Sequence, residues 1–527
     1  MISFLSPRYL LLYGLLVSPY AAADQDLWGA RLDLEAKPGN KRSLAEADMF
    51  FPVAQTARTL FFANIRTRGD DSGGREGNFG LGVRHMLDSG WNLGAYGYFD
   101  RRRSADTGLY YNQATLGGEA IGPDIEWRAN AYLPVGTRSR DVGSVSSARV
   151  SGAAVVVDTA TNQERALRGF DLESGWRLPI FDSEATRQLR IYLGGYYFND
   201  GGVTVTGPRA RMEFAFEDLA WFGQGSALLL GAEAQRDGAR GNQQFLSVRL
   251  RIPLGSGHRS SNRLSAQARR MTAAIVRDVD VVTQRHVVHQ TEAASATADG
   301  RRFSVIDSAT TSGANLPAAV ASSGSLVLLS GTFNTTSQVA MAANQTLTGS
   351  LKVTTASGRT ATVNTNAVIA ATNASGSAVA VGNHGSLSNL NISNTMDGSI
   401  VGTGVSNASV AATITDNRIT VTQNGANDAI GVNTGTPGRT ILSGNIITVN
   451  GSAGAGTLTA IQAGQGTATV NGNTLTVSGG TSNVSINSSA FTNEFTAGSV
   501  GNVLISGVCS GGSLRGSVFF TDGSSCP

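Results

Sequence analysis

Between residues 27 and 255 the chain repeats one pattern: segments of about ten residues in which apolar and ionisable side chains alternate. In Leu27 to Ala36, Trp28, Ala30, Leu32, Leu34 and Ala36 share one parity, and Gly29, Arg31, Asp33 and Glu35 share the other. Successive side chains of a strand point to opposite faces, so each such segment has one greasy face and one charged face. About twelve segments follow this rule, among them Trp91 to Asp100, Ile125 to Leu133 and Leu246 to Ile252. About ten residues is the length a tilted strand needs to cross a bilayer, with its apolar parity in lipid and its polar parity in a wet lumen. The lumen-facing set is then Arg31, Asp33, Glu35, Glu119, Glu126, Arg128, Asp171, Glu173, Arg177, Glu213, Glu233, Arg249 and Arg251. Register is constrained, because a one-residue slip of the last segment puts Arg249 and Arg251 into hydrocarbon at roughly 2 to 4 kcal/mol each. A soluble sandwich is the competing fold, but it has less use for so many ionisable residues on one face.

The N-terminus fits an export signal: Arg8, an apolar core from Leu10 to Val17, and Ala21-Ala22-Ala23 with cleavage expected after Ala23. That core is too short to span a membrane, and no later run is long and apolar enough for a transmembrane helix. Any span must therefore be made of strands. A net charge of +3 gives no reason to expect a nucleic-acid partner. Only Cys509 and Cys526 are present, with no CxxC, and in an oxidising compartment they are expected to pair as a terminal staple.

Short turns such as Leu87 to Gly90 and Ile121 to Asp124 alternate with longer polar loops, as in outer-membrane barrels. The longest insertion, Val135 to Arg165, contains the apolar run Ala153 to Val157, which suits an extra hairpin or a plug. An even strand count places both barrel ends on the periplasmic side. The chain after Leu254 either stays there or threads back through the lumen, and periodicity does not decide between these.

Several ordered phrases resemble the inverse autotransporter barrel of the intimin and invasin family. They are Gly77 to His85, Trp91 to Asp100 followed by Arg101 to Ser104, Arg128 to Gly136, Gly169 to Pro179, and Val276 to Thr283. The resemblance covers roughly residues 27 to 285. It implies a twelve-stranded barrel whose linker runs back out through the pore, a C-terminal passenger left attached, and adhesin or invasin roles. Outer-membrane lipid, the barrel assembly machinery and periplasmic chaperones are the implied partners, with an extracellular protein or glycan as ligand. This sequence departs from the family in having no peptidoglycan-binding module before the first strand. It also lacks the usual string of immunoglobulin-like domains.

Residues 256 to 309 form a basic linker carrying Arg259, Arg263, Arg269, Arg270 and Arg277. It is either a solvated tether or a plug set against lumen acids such as Glu119, Glu126, Asp171 and Glu233. His286 and His289 lack a third metal ligand nearby.

From about residue 310 the composition turns to Gly, Ser, Thr, Asn, Ala and Val, without Trp or Tyr. Asn417 to Val421 returns as Asn445 to Val449 and Asn473 to Val477, a period of about 28 residues. Ile414, Leu442 and Val470 keep step, as do Ile430, Leu458 and Ile486 more loosely; Leu387 and Ile392 form an earlier copy shifted by one. One such coil cannot bury its own apolar residues, but a stack can, with Asn in ladders. The expected fold is thus all-β: a twelve-stranded antiparallel transmembrane barrel over 24–255 after a 1–23 signal, then a right-handed parallel β-helix over 310–527. No enzyme and no cofactor are expected. The enzymatic alternative, a tethered polysaccharide lyase or hydrolase, has only the scattered Asp397, Asp416, Asp428 and Asp522, which suit turns better than an acid pair. A further alternative is a plain channel with a periplasmic tail.

Overall fold

The computed structural model describes residues 27–254, 264–277, 280–374, 376–407, 411–434, 438–488 and 493–527. The signal segment with Ala23, and Arg259 and Arg263 of the linker, lie outside the described residues. The chain divides into two units, one of residues 1–143 and 162–287, the other of residues 144–161 and 288–527.

The first fourteen strands are β1 Ala30–Lys37, β2 Leu44–Gln55, β3 Thr59–Asp70, β4 Arg75–Met86, β5 Asn92–Arg103, β6 Tyr110–Ile121, β7 Ile125–Val135, β8 Ser139–Ser151, β9 Ala154–Ala166, β10 Arg168–Leu178, β11 Arg187–Asp200, β12 Val203–Glu217, β13 Ala227–Asp237 and β14 Gly241–Leu254. All but β8 and β9 close into a twelve-stranded barrel of antiparallel neighbours. Alternation is the cause of this shape. Leu81, Leu116, Trp127, Leu172 and Leu246 are exposed on the outside, while Arg84, Asp100 and Glu126 are fully buried inside. The outer face must meet lipid, since hydrocarbon-exposed strands survive only in a closed sheet. Closure occurs between β1 and β14, where Asp33 opposes Arg251 and Glu35 opposes Arg249. Arg251 Nε lies 3.0 Å from Asp33 Oδ1, and Arg249 Nη2 lies 2.6 Å from Glu35 Oε2, so paired charges inside the lumen fix the register of the seam.

The apolar run inside the long insertion forms strand β9, which with β8 makes a hairpin between barrel strands β7 and β10. Its outer part, residues 144–161, belongs to the second unit.

The second unit is a parallel solenoid with sheets of eight, seven and seven strands. Each strand pairs in register with the one a coil later, as in Ile419↔Ile447 and Ile447↔Leu475. Leu387 aligns with Ile414, and Ile392 with Ile419, so the earlier copy has a 27-residue step. In the third sheet the alignment is corrected. Ile430 pairs with Thr459 and is half-buried, whereas Val432, Ile461 and Ile486 form the inward row. The sequence misplaced it because that sheet follows turns of variable length. One core runs from Ile306 to Cys526. At its start, helix α2 (Leu316–Ser322; helix α1, Ala266–Arg270, lies in the linker) buries Leu316 and Val320.

Cys509 and Cys526 are bonded, with Cα atoms 5.4 Å apart and 17 residues of separation. Closing a loop of that size restricts the unfolded chain by roughly 3 kcal/mol. Reduction, or Cys509→Ser, is therefore expected to make residues 493–527 the first part of the solenoid to yield to protease. Mass mapping of early cleavage products with and without reductant checks this.

Candidate functional site: the occupied barrel lumen

One rim of the barrel carries the start of β1, the end of β14 and the short turns β2–β3, β4–β5 and β6–β7; the opposite rim carries the β5–β6 loop and the β8–β9 insertion. The linker begins at the first rim. Gln267 Nε2 donates to the Leu87 carbonyl at 3.0 Å, and the Ala266 amide donates to Glu184 at 2.8 Å. It ends at the second rim, where Val281 packs on Tyr111 and Ala166, and the Leu167 amide donates to the Val282 carbonyl at 2.9 Å. Between these points the described linker residues, 264–277 and 280–282, line up across the lumen.

A linker inside a barrel, with one short helix (α1) and an irregular run after it, presents backbone groups that need partners. The wall supplies them. Trp28 Nε1 donates to Ala268 O at 2.8 Å, Arg31 Nε to Thr272 O at 2.9 Å and Asn92 Nδ2 to Gln267 O at 2.9 Å. Arg84 donates to Met271 O at 2.7 Å and Ala273 O at 2.8 Å, and its Nε pairs with Glu119 at 2.5 Å. Farther along, Asn130 Nδ2 reaches Val276 O at 3.2 Å and Arg102 reaches Val281 O at 2.6 Å, while the Val281 amide donates to Glu76 at 2.9 Å. Met271 and Ile275 insert among Trp28, Phe50, Leu60, Phe62, Tyr96 and Tyr98, an apolar socket inside an otherwise charged lumen.

The linker charges are neutralised in both directions. Arg277 sits 2.8 Å from Asp100 and lies over the Tyr98 ring at 4.2 Å; Arg270 pairs with Glu126; Arg269 Nε lies 2.7 Å from Glu217. Asp280 reverses the sign, pairing with Arg42 and lying 3.9 Å from both Arg68 and Arg102. Two cavities of about 70 and 80 Å³ flank the linker, with room for a few waters each.

Of the residues expected to face the lumen, Arg31, Asp33, Glu119, Glu126, Arg128, Asp171 and Glu173 are buried there. Glu35 and Glu233 pair with Arg249 and Lys37. Glu213 lies 3.6 Å from Arg211, and Arg177 sits by the β6–β7 turn, bonded to Asp124. Of the four acids suggested as linker partners, Glu126 receives one directly. Glu119 goes to Arg84, Asp171 accepts from Asn130 and Tyr132, and Glu233 from Lys37. Asp100, Glu76 and the cluster around Asp280 are partners that sequence reading missed. The acids Asp278 and Asp280, set close behind the basic residues of the linker, were their only trace in the sequence.

In the solenoid, Asp416 sits at φ +56° in a turn, and Asp428 accepts from the Thr457 amide at 2.6 Å. Both serve turns. Among the described residues no group of three or more His, Cys, Asp or Glu is placed to hold a metal.

A family model described as the inverse autotransporter β-domain matches residues 25–278. Among solved structures, the translocator domain of the autotransporter NalP from Neisseria meningitidis is 12% identical with a TM-score of 0.24, covering 44% of this chain and 90% of that one. The β-domain of the Bordetella autotransporter BrkA is 14% identical with a TM-score of 0.23, covering 43% and 98%. Omp33 of Acinetobacter baumannii is 6% identical with a TM-score of 0.24, covering 43% and 98%. No curated protein matches the chain.

Proposed function

Since the chain belongs, through residues 25–278, to the inverse autotransporter β-domain family of the outer membrane, we propose that its barrel exports the solenoid and holds it on the cell surface as an adhesin. The observation that carries this reading is the linker, which enters at the rim of the barrel termini and leaves at the opposite rim. Barrels of this class keep their termini and short turns in the periplasm, so a chain leaving at the other rim is delivered outside. The channel-with-tail alternative needs that chain to stay on the terminal side. It also needs an open lumen, whereas the pore here is filled by paired charges and the Met271 anchor.

The adhesive part of the proposal rests on the solenoid's regular coils with few charged residues, and on Asp416 and Asp428 being engaged in a turn and an inter-coil bond. Extracellular proteins or glycans are the ligand classes. Cells carrying the full chain should attach to glycan arrays, matrix proteins or sister cells. Cells carrying residues 1–309 alone should lose that attachment while keeping a folded barrel. Equal attachment by both strains removes the adhesive reading, and release of sugar from any glycan by the full chain favours the tethered enzyme.

A further inference from the structure

The β8–β9 hairpin is encoded inside the barrel but folded into the passenger. Its tip turns at Gly152, held at φ +61°, where glycine carries no steric penalty. Strand β9 lies next to β15 (Thr283–Thr297), the first strand after the lumen-filling linker, in a five-stranded sheet ordered Thr360–Asn364, Ser350–Thr355, β15, β9, β8. Val155 and Val157 of the hairpin are 1% exposed and pack with Leu326 and Leu328, and with Val353 and Val363. Leu326 and Leu328 alternate with Val327 and Leu329, which face the solenoid core, so this early solenoid strand is covered on both sides. Thr291 donates to Asp158 at 2.5 Å across the β9–β15 boundary, and Arg149 Nε binds the other oxygen of the same carboxylate at 2.9 Å. At the base of the insertion, Ala166 and Leu167 pack on Val281 and Val282, so β15 starts beside the point where β9 ends.

We infer that this hairpin is a folding template for the passenger: a preformed strand edge that receives β15 as the chain leaves the pore. Resting on the export reading, the inference adds to it the step at which the passenger begins to fold. The hairpin closes through local contacts across a two-residue turn, so its own pairing forms fast and before any pairing between distant segments. The solenoid is built from parallel pairings between coils about 28 residues apart, which are slow to nucleate because loops must close before contacts reward them. Strand addition to an existing edge orders β15 without such a closure, and Val155 and Val157 then cover the early solenoid strand at Leu326 and Leu328, as a solenoid's terminal coil requires. The segment nearest the barrel is also the first to emerge from a chain anchored there. The occupant of the β9 edge is therefore β15 of the same chain.

The test uses the full chain in outer membranes. In the D158C/T291C variant the two new thiols should join, seen as a linked peptide pair by mass spectrometry, with the native Cys509–Cys526 bond retained. In V155D/V157D the barrel should keep its heat-modifiable gel mobility. Its passenger should become trypsin-resistant about tenfold more slowly after synthesis than the parent's, as expected when a nucleus is weakened. Free thiols at both positions, or a V155D/V157D passenger that matures at the parental rate, overturns the template. A 158–291 link in a passenger that added trypsin cannot reach on intact cells supports the template and defeats surface display, so the two readings fail separately.

Discussion

Replacing Arg277 by Asp is expected to drive the linker out of the lumen and turn a closed barrel into a conducting one. Arg277 is fully enclosed, 2.8 Å from Asp100 and stacked over Tyr98. Asp100 is itself buried and also accepts from Thr115 at 2.6 Å and Asn78 at 2.7 Å. Removing one member of a buried pair costs about 3 to 5 kcal/mol, because the survivor is left without a counter-charge. The reversal adds a repulsive carboxylate. At 1.4 kcal/mol per decade, that range shifts the equilibrium between filled and empty lumen by at least 10²- to 10³-fold. The barrel wall keeps its own network, including Arg128 with Glu126 and Glu173, so the closed sheet should persist. In planar bilayers the purified parent should show little conductance and the R277D variant sustained open-pore currents. Arg277→Lys, which retains the charge but not the planar stack, should fall between them.

The second large effect belongs to Asn445. Its Oδ1 accepts from the Asn417 amide at 3.0 Å and Asn417 Nδ2 at 3.1 Å, and its Nδ2 donates to Ile414 O at 2.8 Å and Asn473 Oδ1 at 2.9 Å. The same arrangement continues through Asn473 to Asn502. All four ladder residues are 2% exposed or less. Asn445→Ala leaves the Asn417 amide and the Ile414 carbonyl buried without those partners, at about 1 to 3 kcal/mol for each orphaned group. A destabilisation of about 2 to 6 kcal/mol is expected, since the orphan costs add. Pulse proteolysis of the full-length protein across a urea series reads it, with the barrel's gel mobility as an internal control. Asn445→Ser, which keeps one small donor and acceptor, should recover part of the loss.

These two sites differ in how much of them the sequence displays. The Asn ladder is plain in the chain because each coil repeats the same local problem: a turn with buried backbone groups, solved by the same residue about 28 positions on. The barrel is plain for a similar reason, since alternation at Leu32–Asp33–Leu34–Glu35 is imposed strand by strand through lipid on one side and water on the other. The lumen contacts are a different matter. That a basic linker could meet lumen acids follows from sign alone, but the pairs themselves, Arg270 with Glu126, Arg277 with Asp100 and Asp280 with Arg42, depend on where a linker lies inside a closed sheet. No local pattern encodes that depth. Strand β15 was hidden as well. Thr283 to Thr297 is mostly polar, and its strand character comes from neighbours at β9 and Ser350–Thr355 rather than from its own hydrophobicity. Residues 288–309, grouped with the linker on composition, therefore lie in the second unit.

The linker enters the barrel at one rim and leaves it at the other, which puts the two rims on different parts of one chain. Two single cysteines decide it, introduced with Cys509 and Cys526 replaced by Ser. One is Asp88→Cys, in the exposed β4–β5 turn at the rim of the barrel termini; the other is Ala356→Cys, in an exposed turn beyond the linker. A membrane-impermeant maleimide added to intact cells should label position 356 and leave 88 untouched until the outer membrane is permeabilised. Labelling of both, or of 88 alone, contradicts a threaded lumen.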